Sequence, residues 1–410
     1  MKKFGCNPTL NNDLYICDVE AKVFGDRIYL YGTNGNENAQ NFHVYSSSDM
    51  QNWTDHGVVF TTSNVKWCKA TKLWAPDCVL KDGIYYLYYS LPSGEMGVAK
   101  SSSPVGPFQD ERKMNVMGID PSIFIDDDGT AYIYWGQLDG VRSAKLKDCM
   151  TEIDESTVTQ PLTVKEHAIH EGSSVKKING KYYYVYTETH RRNKATCQGY
   201  SVSDYPLSGY KYKGVIVDCF NCDPESWNNH GCIQEFRGQW YIFYHRATEG
   251  VYGWDNPRQL CIEKIRFDND GLINEVLPTS SGQSDYILAT ETIGGYCACE
   301  VFGGAYVGKD ENNDNYLAVK NINPYCTVTF RYLKFLEENT LRLRLKGQGS
   351  FRVDIYIDGK YHDFISGKAD MTFSDIKKTI LPIIGVKTVE FKFYGLFKDL
   401  TLDEFSFSKE

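Results

Sequence analysis

No stretch of this chain carries the ~18–20 consecutive apolar residues that a membrane-spanning helix needs, and none shows a long amphipathic helical pattern. The opening residues, MKKFGCNPTL, bring two lysines with no apolar run behind them. They do not read as a secretory leader, so the expected setting is cytoplasmic. Excess positive charge is also missing: the net charge of −9 lacks the basic footprint of a phosphate-backbone binder, which argues against nucleic acid and for a neutral or cationic ligand. The 13 cysteines are odd in number and follow no framework spacing; Cys17, Cys78, Cys232 and Cys261 sit inside apolar runs and read as reduced, buried thiols. The single C-x-x-C, Cys219 to Cys222, has no second pair or histidine at zinc-finger spacing, which excludes a zinc finger there.

Aromatic side chains are abundant. They make up 14% of the residues, with 30 tyrosines, and two readings compete. Rings suit the C–H faces of sugars, and strands favour tyrosine in any case.

One pattern repeats. A polar head residue, a short strand, a glycine-containing turn and a tyrosine-rich second strand recur as DVEAKVFGDRIYLYGT from Asp18, DCVLKDGIYYLYYS from Asp77, DPSIFIDDDGTAYIYWG from Asp120, EGSSVKKINGKYYYVYTE from Glu171 and HGCIQEFRGQWYIFYH from His230. The heads lie 59, 43, 51 and 59 residues apart, a period that fits a blade of about four strands. Five such units around an axis make a five-bladed β-propeller, whose innermost strands start near the central channel. The heads Asp18, Asp77, Asp120, Glu171 and His230 should therefore converge. Carboxylates gathered in one pocket repel one another and shift each other's pKa, so such a cluster implies chemistry.

The repeat stops near Val276, and LPTSSGQSD reads as a linker. From Leu341 onward TLRLRLKG, SFRVDIYIDGKYHDF, TVEFKFYG and LTLDEFSF alternate apolar and polar residues, the signature of half-buried strands. The expected organisation is all-β: a propeller over 1–280, a linker over 281–288 and a β-sandwich of the jelly-roll kind over 289–410. Because every acidic head precedes the linker, removal of the chain from about residue 285 should leave the catalytic groups intact.

The five copies, in this order and with the contexts LWAPDCVL, GIDPSIF, HEGSSVKK and NHGCIQEF, resemble glycoside hydrolase family 43, the five-bladed propellers that act on arabinose- and xylose-containing glycans. The resemblance implies that Asp18 is a general base, Glu171 a general acid, and Asp120 the residue that orients the acid and tunes its pKa. It implies that Arg258, in NPRQLCIEKI, approaches that tuning aspartate. It also implies that His230 lies beside a bound calcium or sodium ion, with no cofactor required for the chemistry. The base stands in Cys17-Asp18-Val19 where many members have Ala-Asp-Pro. The second segment resembles a family 6 carbohydrate-binding module in GVKTVEFKFYG and LTLDEFSF, but carries Thr401 where such modules place a ligand-binding asparagine, and shows no cleft tryptophan.

The chemistry asks for two carboxyl groups in opposite protonation states, one giving a proton to the leaving oxygen and one taking a proton from water. Trp74 and Trp135 are candidate walls for the sugar ring, with Asp77 and Arg258 as further substrate contacts; inter-blade packing is the competing role for Trp135. The expected activity is inverting release of terminal α-L-arabinofuranose or β-D-xylose from hemicellulose-derived oligosaccharides. An endo-arabinanase, an exo-galactanase and a non-catalytic carbohydrate-binding propeller are the competing readings. The retaining fructan hydrolases carry Arg-Asp-Pro and Glu-Cys at the third and fourth blades, where this chain has Ile119-Asp120-Pro121 and Glu171-Gly172.

Overall fold

A computed structural model describes residues 6–10, 15–35, 39–222, 229–250, 257–310 and 313–410; the lysine-bearing start read above for a leader lies mostly outside them. Among the described residues the only α-helical turn is Val164–His167, and no helix is long and apolar enough to cross a membrane.

Five antiparallel sheets follow one another in chain order. Blade I comprises Ile16–Phe24, Arg27–Asn34, Asn41–Ser47 and Thr54–Thr61; blade II runs from Trp74–Lys81 to Gln109–Met117. Blade III has three strands, Ser122–Ile125, Ala131–Trp135 and Arg142–Lys145, with Thr159 bridged to Ser143 at its outer edge. Blade IV runs from Ile169–Ile178 to Lys211–Asp218, and blade V holds Cys232–Phe236, Gln239–Ala247 and Arg258–Ile265. The first strand of each blade packs against the first strand of the next, and that of blade V returns to Ile16–Phe24, so the ring is closed. Closure is fastened by the segment preceding blade I. The Thr9 N–H donates to the Leu260 carbonyl at 2.9 Å, and the Asn7 side chain accepts from the Ile262 N–H at 2.9 Å while donating to Glu263 at 2.7 Å.

The hairpin turns obey local chemistry. Asn179-Gly180, joining the first two strands of blade IV, has φ of 50° and 78°, the left-handed pair that a two-residue type I′ turn demands. The second strands then place alternate residues into the seams between blades. One apolar cluster fills each of the five seams: Tyr31 and Phe42 meet Leu87 and Tyr89 between blades I and II, for example, and Tyr183 and Val185 meet Ile242 and Tyr244 between IV and V. Buried tyrosine hydroxyls reach main-chain carbonyls of the following blade, Tyr31 to Pro104, Tyr88 to Met150 and Tyr134 to Pro206, at 2.6, 2.5 and 2.9 Å. A phenol fits here because its ring fills the seam and its hydroxyl satisfies a buried acceptor. The tyrosine excess is therefore largely structural, which favours the strand reading over the sugar-face reading.

The C-terminal part is a separate curled β-sheet domain with its own core, built on Leu341, Leu343, Leu345, Val353, Ile355, Phe391, Phe393 and Phe405. The short strands read from the sequence are joined into two long runs, Thr327–Ile357 and Ser374–Ser408, which pair with each other in more than one register. Gly349 lets the first run bend past the second, since a Cβ there would lie 2.2 Å from the Leu396 carbonyl oxygen.

The polar stretch around 279–283 is buried and bonded instead of free. Thr279 donates from its N–H and hydroxyl to Glu263 at 2.7 and 2.8 Å, the Ser280 carbonyl accepts from the Asn7 N–H at 3.0 Å, and Gln283 donates to the Met50 carbonyl at 2.8 Å. Ile287–Leu288, inside the expected linker, already pairs with Leu333 and Lys334 of the C-terminal sheet.

Candidate active site

The first strands open onto a cavity of about 570 Å³ at one end of the propeller axis. Asp18 of blade I, Asp120 before the first strand of blade III, Glu171 of blade IV and His230 at the entry to blade V all line it, with Trp74 of blade II and Arg258. Four of the five expected heads thus converge.

Asp77 does not. The inner strands of blades I to IV enter through a left-handed residue: Asp18 (φ 50°) in blade I, Ala75 (φ 42°) in blade II, Asp120 (φ 57°) in blade III and Gly172 (φ 71°) in blade IV. In blades I, II and IV the strand register shifts at this point. The counterpart of Asp18 in blade II is therefore Ala75, and Asp77 stands two residues further down the channel, as Glu20 does in blade I. There Asp77 pairs with Lys22 at 2.9 Å and accepts the Ile123 N–H at 2.6 Å, while Glu20 pairs with Lys176 at 2.7 Å. This buried four-charge network plugs the axis beneath the cavity and makes Asp77 a structural residue.

Trp135 is likewise outside the cavity. It is buried in the seam between blades II and III, and its indole N–H donates to the Met117 carbonyl at 3.1 Å. Trp74 does form a cavity wall, immediately before the left-handed Ala75.

Asp18 sits beside one guanidinium and two imidazoles. Arg258 donates from Nη1 to Oδ1 at 3.1 Å, and the Nδ1 atoms of His230 and His245 lie 3.6 and 3.7 Å from the same oxygen. Burial works to raise this carboxyl, but Arg258, His230 and His245 outweigh it and hold the group well below the ordinary carboxylate range. The direct partner of Arg258 is thus Asp18, not the tuning aspartate Asp120 as the resemblance implied; Asp120 feels its charge without a hydrogen bond.

The other two carboxyls move in the opposite direction. Burial, and then the negative charge of Asp18, push Asp120 up to about 7. Burial, followed by the charge of Asp120, pushes Glu171 up to about 8. Asp120 also fixes Glu171 in place, because its Oδ2 accepts the N–H of the adjoining Gly172 at 3.0 Å. Only glycine fits after Glu171: a Cβ at 172 would lie 2.7 Å from Cδ2 of His230, at a φ that already disfavours side chains.

Some site residues escaped sequence reasoning. His245 is fully buried and accepts the Asp18 N–H through Nδ1 at 3.4 Å; its signal was a lone histidine ending the otherwise apolar run YIFYH. His170 and Gln137 also line the cavity, and burial lowers the pKa of His170, favouring a neutral imidazole beside Glu171. Among the described residues, one group of three ligand-type side chains lies close together: Cys17, Asp18 and His245, with donor atoms within 4.8 Å of one another. The Cys17 thiol is engaged with Asp18 Oδ2 at 3.3 Å, and burial keeps it protonated. All 13 cysteines are free thiols, and Cys219 and Cys222 pack into the seam between blades IV and V.

Comparison with known proteins agrees with this geometry. The family profile described as "Glycosyl hydrolases family 43" matches residues 6–273. A xylosidase/arabinosidase of Thermoclostridium stercorarium is 29% identical over 92% of both chains. A family 43 arabinoxylan arabinofuranohydrolase from Bacillus subtilis, solved with cellotetraose, superposes with a TM-score of 0.59 over 98% of this chain and 97% of its own; at 22% identity it speaks for the fold of both domains. A β-xylosidase/α-arabinofuranosidase from a compost microbial metagenome, solved with xylotriose in a calcium-free form, has a TM-score of 0.57 and 27% identity, covering 64% of this chain and 95% of its own.

Proposed function

The chain belongs to glycoside hydrolase family 43, and on that premise we propose that it is an inverting, exo-acting pentosidase. Its substrates are short hemicellulose-derived oligosaccharides, from which it releases terminal α-L-arabinofuranose or β-D-xylose. The observation that carries this reading is the pairing within one cavity: the Arg258 guanidinium donates to Asp18 at 3.1 Å and favours its ionised form, while burial and the charge of Asp120 favour the acid form of Glu171.

The chemistry follows from that division. Glu171 gives its proton to the glycosidic oxygen as the bond to the anomeric carbon breaks, and Asp18 takes a proton from the water that attacks that carbon from the opposite face. The sugar leaves with inverted configuration, Glu171 ionised and Asp18 protonated, and proton exchange with solvent restores both. Asp120 is the positioning carboxylate, holding the Glu171–Gly172 peptide and, by its charge, disfavouring ionisation of Glu171. Trp74 supplies an apolar wall for the ring.

A calcium or sodium ion would fit only on the cavity side of the axis. There His230 has Asp18 and Asp120 oxygens 3.6 and 3.8 Å from Nδ1, whereas the ammonium groups of Lys22 and Lys176 occupy the channel below and repel a cation. Such an ion, held by His230 and largely by water, would add positive charge beside the carboxylates. Loss of turnover on exhaustive chelation, restored by calcium, supports a divalent ion; unchanged turnover removes calcium from the chemistry.

The substrate reading is tested with nitrophenyl α-L-arabinofuranoside, nitrophenyl β-D-xyloside and linear arabinan. Turnover of an aryl glycoside with little internal cutting of arabinan is expected; rapid internal cutting with neither aryl glycoside cleaved would overturn exo action. Proton NMR of the first sugar released should show the anomer opposite to that of the substrate.

A further inference from the structure

The C-terminal domain meets the propeller behind the wall that carries Asp18 and Arg258. Strand Gln239–Ala247 faces both ways there. His245 reaches Asp18, and its neighbour Arg246, almost fully buried, donates to the main-chain carbonyls of Ala298 and Tyr296 in the C-terminal part.

Two residues beyond the strand stands Glu249. Its N–H donates to the Val307 carbonyl at 2.7 Å, and its Oε2 accepts the Lys309 N–H at 2.9 Å, both on strand Tyr306–Asp310 of the C-terminal domain. Its other oxygen, Oε1, accepts the hydroxyl of Tyr15 at 2.9 Å, and the Lys309 ammonium lies 5.1 Å over the Tyr15 ring. Tyr15 precedes Asp18 by three residues. Its carbonyl accepts the Gly35 N–H at 2.7 Å, and the Gly35 carbonyl in turn accepts the Arg258 N–H at 3.0 Å. That junction has no slack: a Cβ on Gly35 would lie 2.6 Å from the Arg258 carbonyl oxygen. A short chain of hydrogen bonds thus runs from the C-terminal domain through one carboxylate to the backbone that presents both the ionised Asp18 and its guanidinium partner.

We propose that Glu249 is a positioning residue for hydrolysis, a carboxylate clamp through which the C-terminal domain sets the placement of Asp18 and Arg258. The domain is then a working part of the active-site wall, contrary to the expectation that the chain beyond residue 285 can be removed without touching the catalytic groups. The proposal rests on Asp18 as the base of the hydrolytic reading above.

Two variants of the full chain test it. Glu249→Gln leaves one acceptor oxygen where two are used, and Tyr15→Phe removes a single hydroxyl from an otherwise unchanged ring. With an aryl pentoside, each is expected to lower kcat about tenfold, within the hundredfold that a misplacement of ~1 Å can cost, with KM within about twofold of wild type. Each should also move the acidic limb of kcat/KM to higher pH as the Arg258–Asp18 pair loosens, and the double variant should fall no further than the worse single one. Wild-type kcat and an unmoved pH profile in both would overturn the proposal and leave Glu249 as a plain interdomain contact; should Glu249→Gln fail to fold, Tyr15→Phe decides alone. A second readout needs no substrate: the imidazole proton NMR signals of His230 and His245, which flank Asp18, should shift in both variants, and unchanged signals count against the clamp. A wild type inactive on every aryl pentoside refutes the substrate reading, and the NMR comparison still decides the clamp.

Discussion

Replacing Glu171 with alanine is the perturbation that most directly probes the division of labour among the three carboxyls. Burial and the charge of Asp120 push its pKa up to about 8, so the acid form is favoured near pH 7, where an ordinary glutamate is almost wholly ionised. The environment therefore favours a loaded proton donor at neutral pH. A sugar alkoxide is a poor leaving group without that proton, so Glu171→Ala should lose on the order of 10²–10⁴ in kcat on a natural disaccharide such as xylobiose, the usual worth of a positioned acid. Nitrophenolate leaves without help, and on the aryl glycoside the same variant should lose less than about tenfold. Asp18→Ala removes activation of the attacking water and should be crippled on both. The pH dependence carries the same sign: the active form of Glu171 is the protonated one, so activity on xylobiose should fall as pH rises through the raised value near 8, and this basic limb should flatten on the aryl glycoside. Steady-state kinetics of the two variants and the wild type on both substrates, from pH 5 to 9, make the comparison. Equal losses for Glu171→Ala on xylobiose and on the aryl glycoside would refute the assignment of Glu171 as the acid.

Asp120→Asn removes the charge that helps to hold Glu171 protonated, so the basic limb of kcat/KM on xylobiose should move to lower pH; a limb that stays in place refutes the tuning role. Gly172→Ala forces a Cβ against His230 at a left-handed φ and should cost about 1–2 kcal/mol of stability, read by urea unfolding, with a larger proportional loss in kcat because Glu171 shifts with its peptide. Asn7→Ala strips the Ile262 N–H of its acceptor and Glu263 of a donor at the ring closure, and should destabilise the protein by about 2–4 kcal/mol in the same assay, with little change in KM.

The blades were legible in the sequence because their signals are local. A strand's alternation, a two-residue Asn-Gly turn and a polar head repeat within some twenty residues of chain, and strands of period 2 with short turns leave few alternatives to hairpins stacked around an axis. The types of Asp18, Asp120, Glu171 and His230 were enough to place chemistry at the convergent ends. Asp77 was misplaced because the feature that aligns the inner strands is a left-handed bulge, held in blade II by Ala75, and no side-chain chemistry marks it. The same limit hid the partners of the base. Arg258 and His245 lie 240 and 227 residues from Asp18 along the chain and come beside it only when the ring closes. Glu249 has no meaning in its own segment, since its carboxylate acquires a role only where the C-terminal strand Tyr306–Asp310 and Tyr15 arrive from opposite ends of the sequence. The sequence by itself thus determined the repeating unit and the reactive groups. Tertiary structure alone decided their register, their ion pairs and hence their protonation states, because burial and electrostatic coupling depend on distances through space between segments whose separation along the chain carries no information about contact.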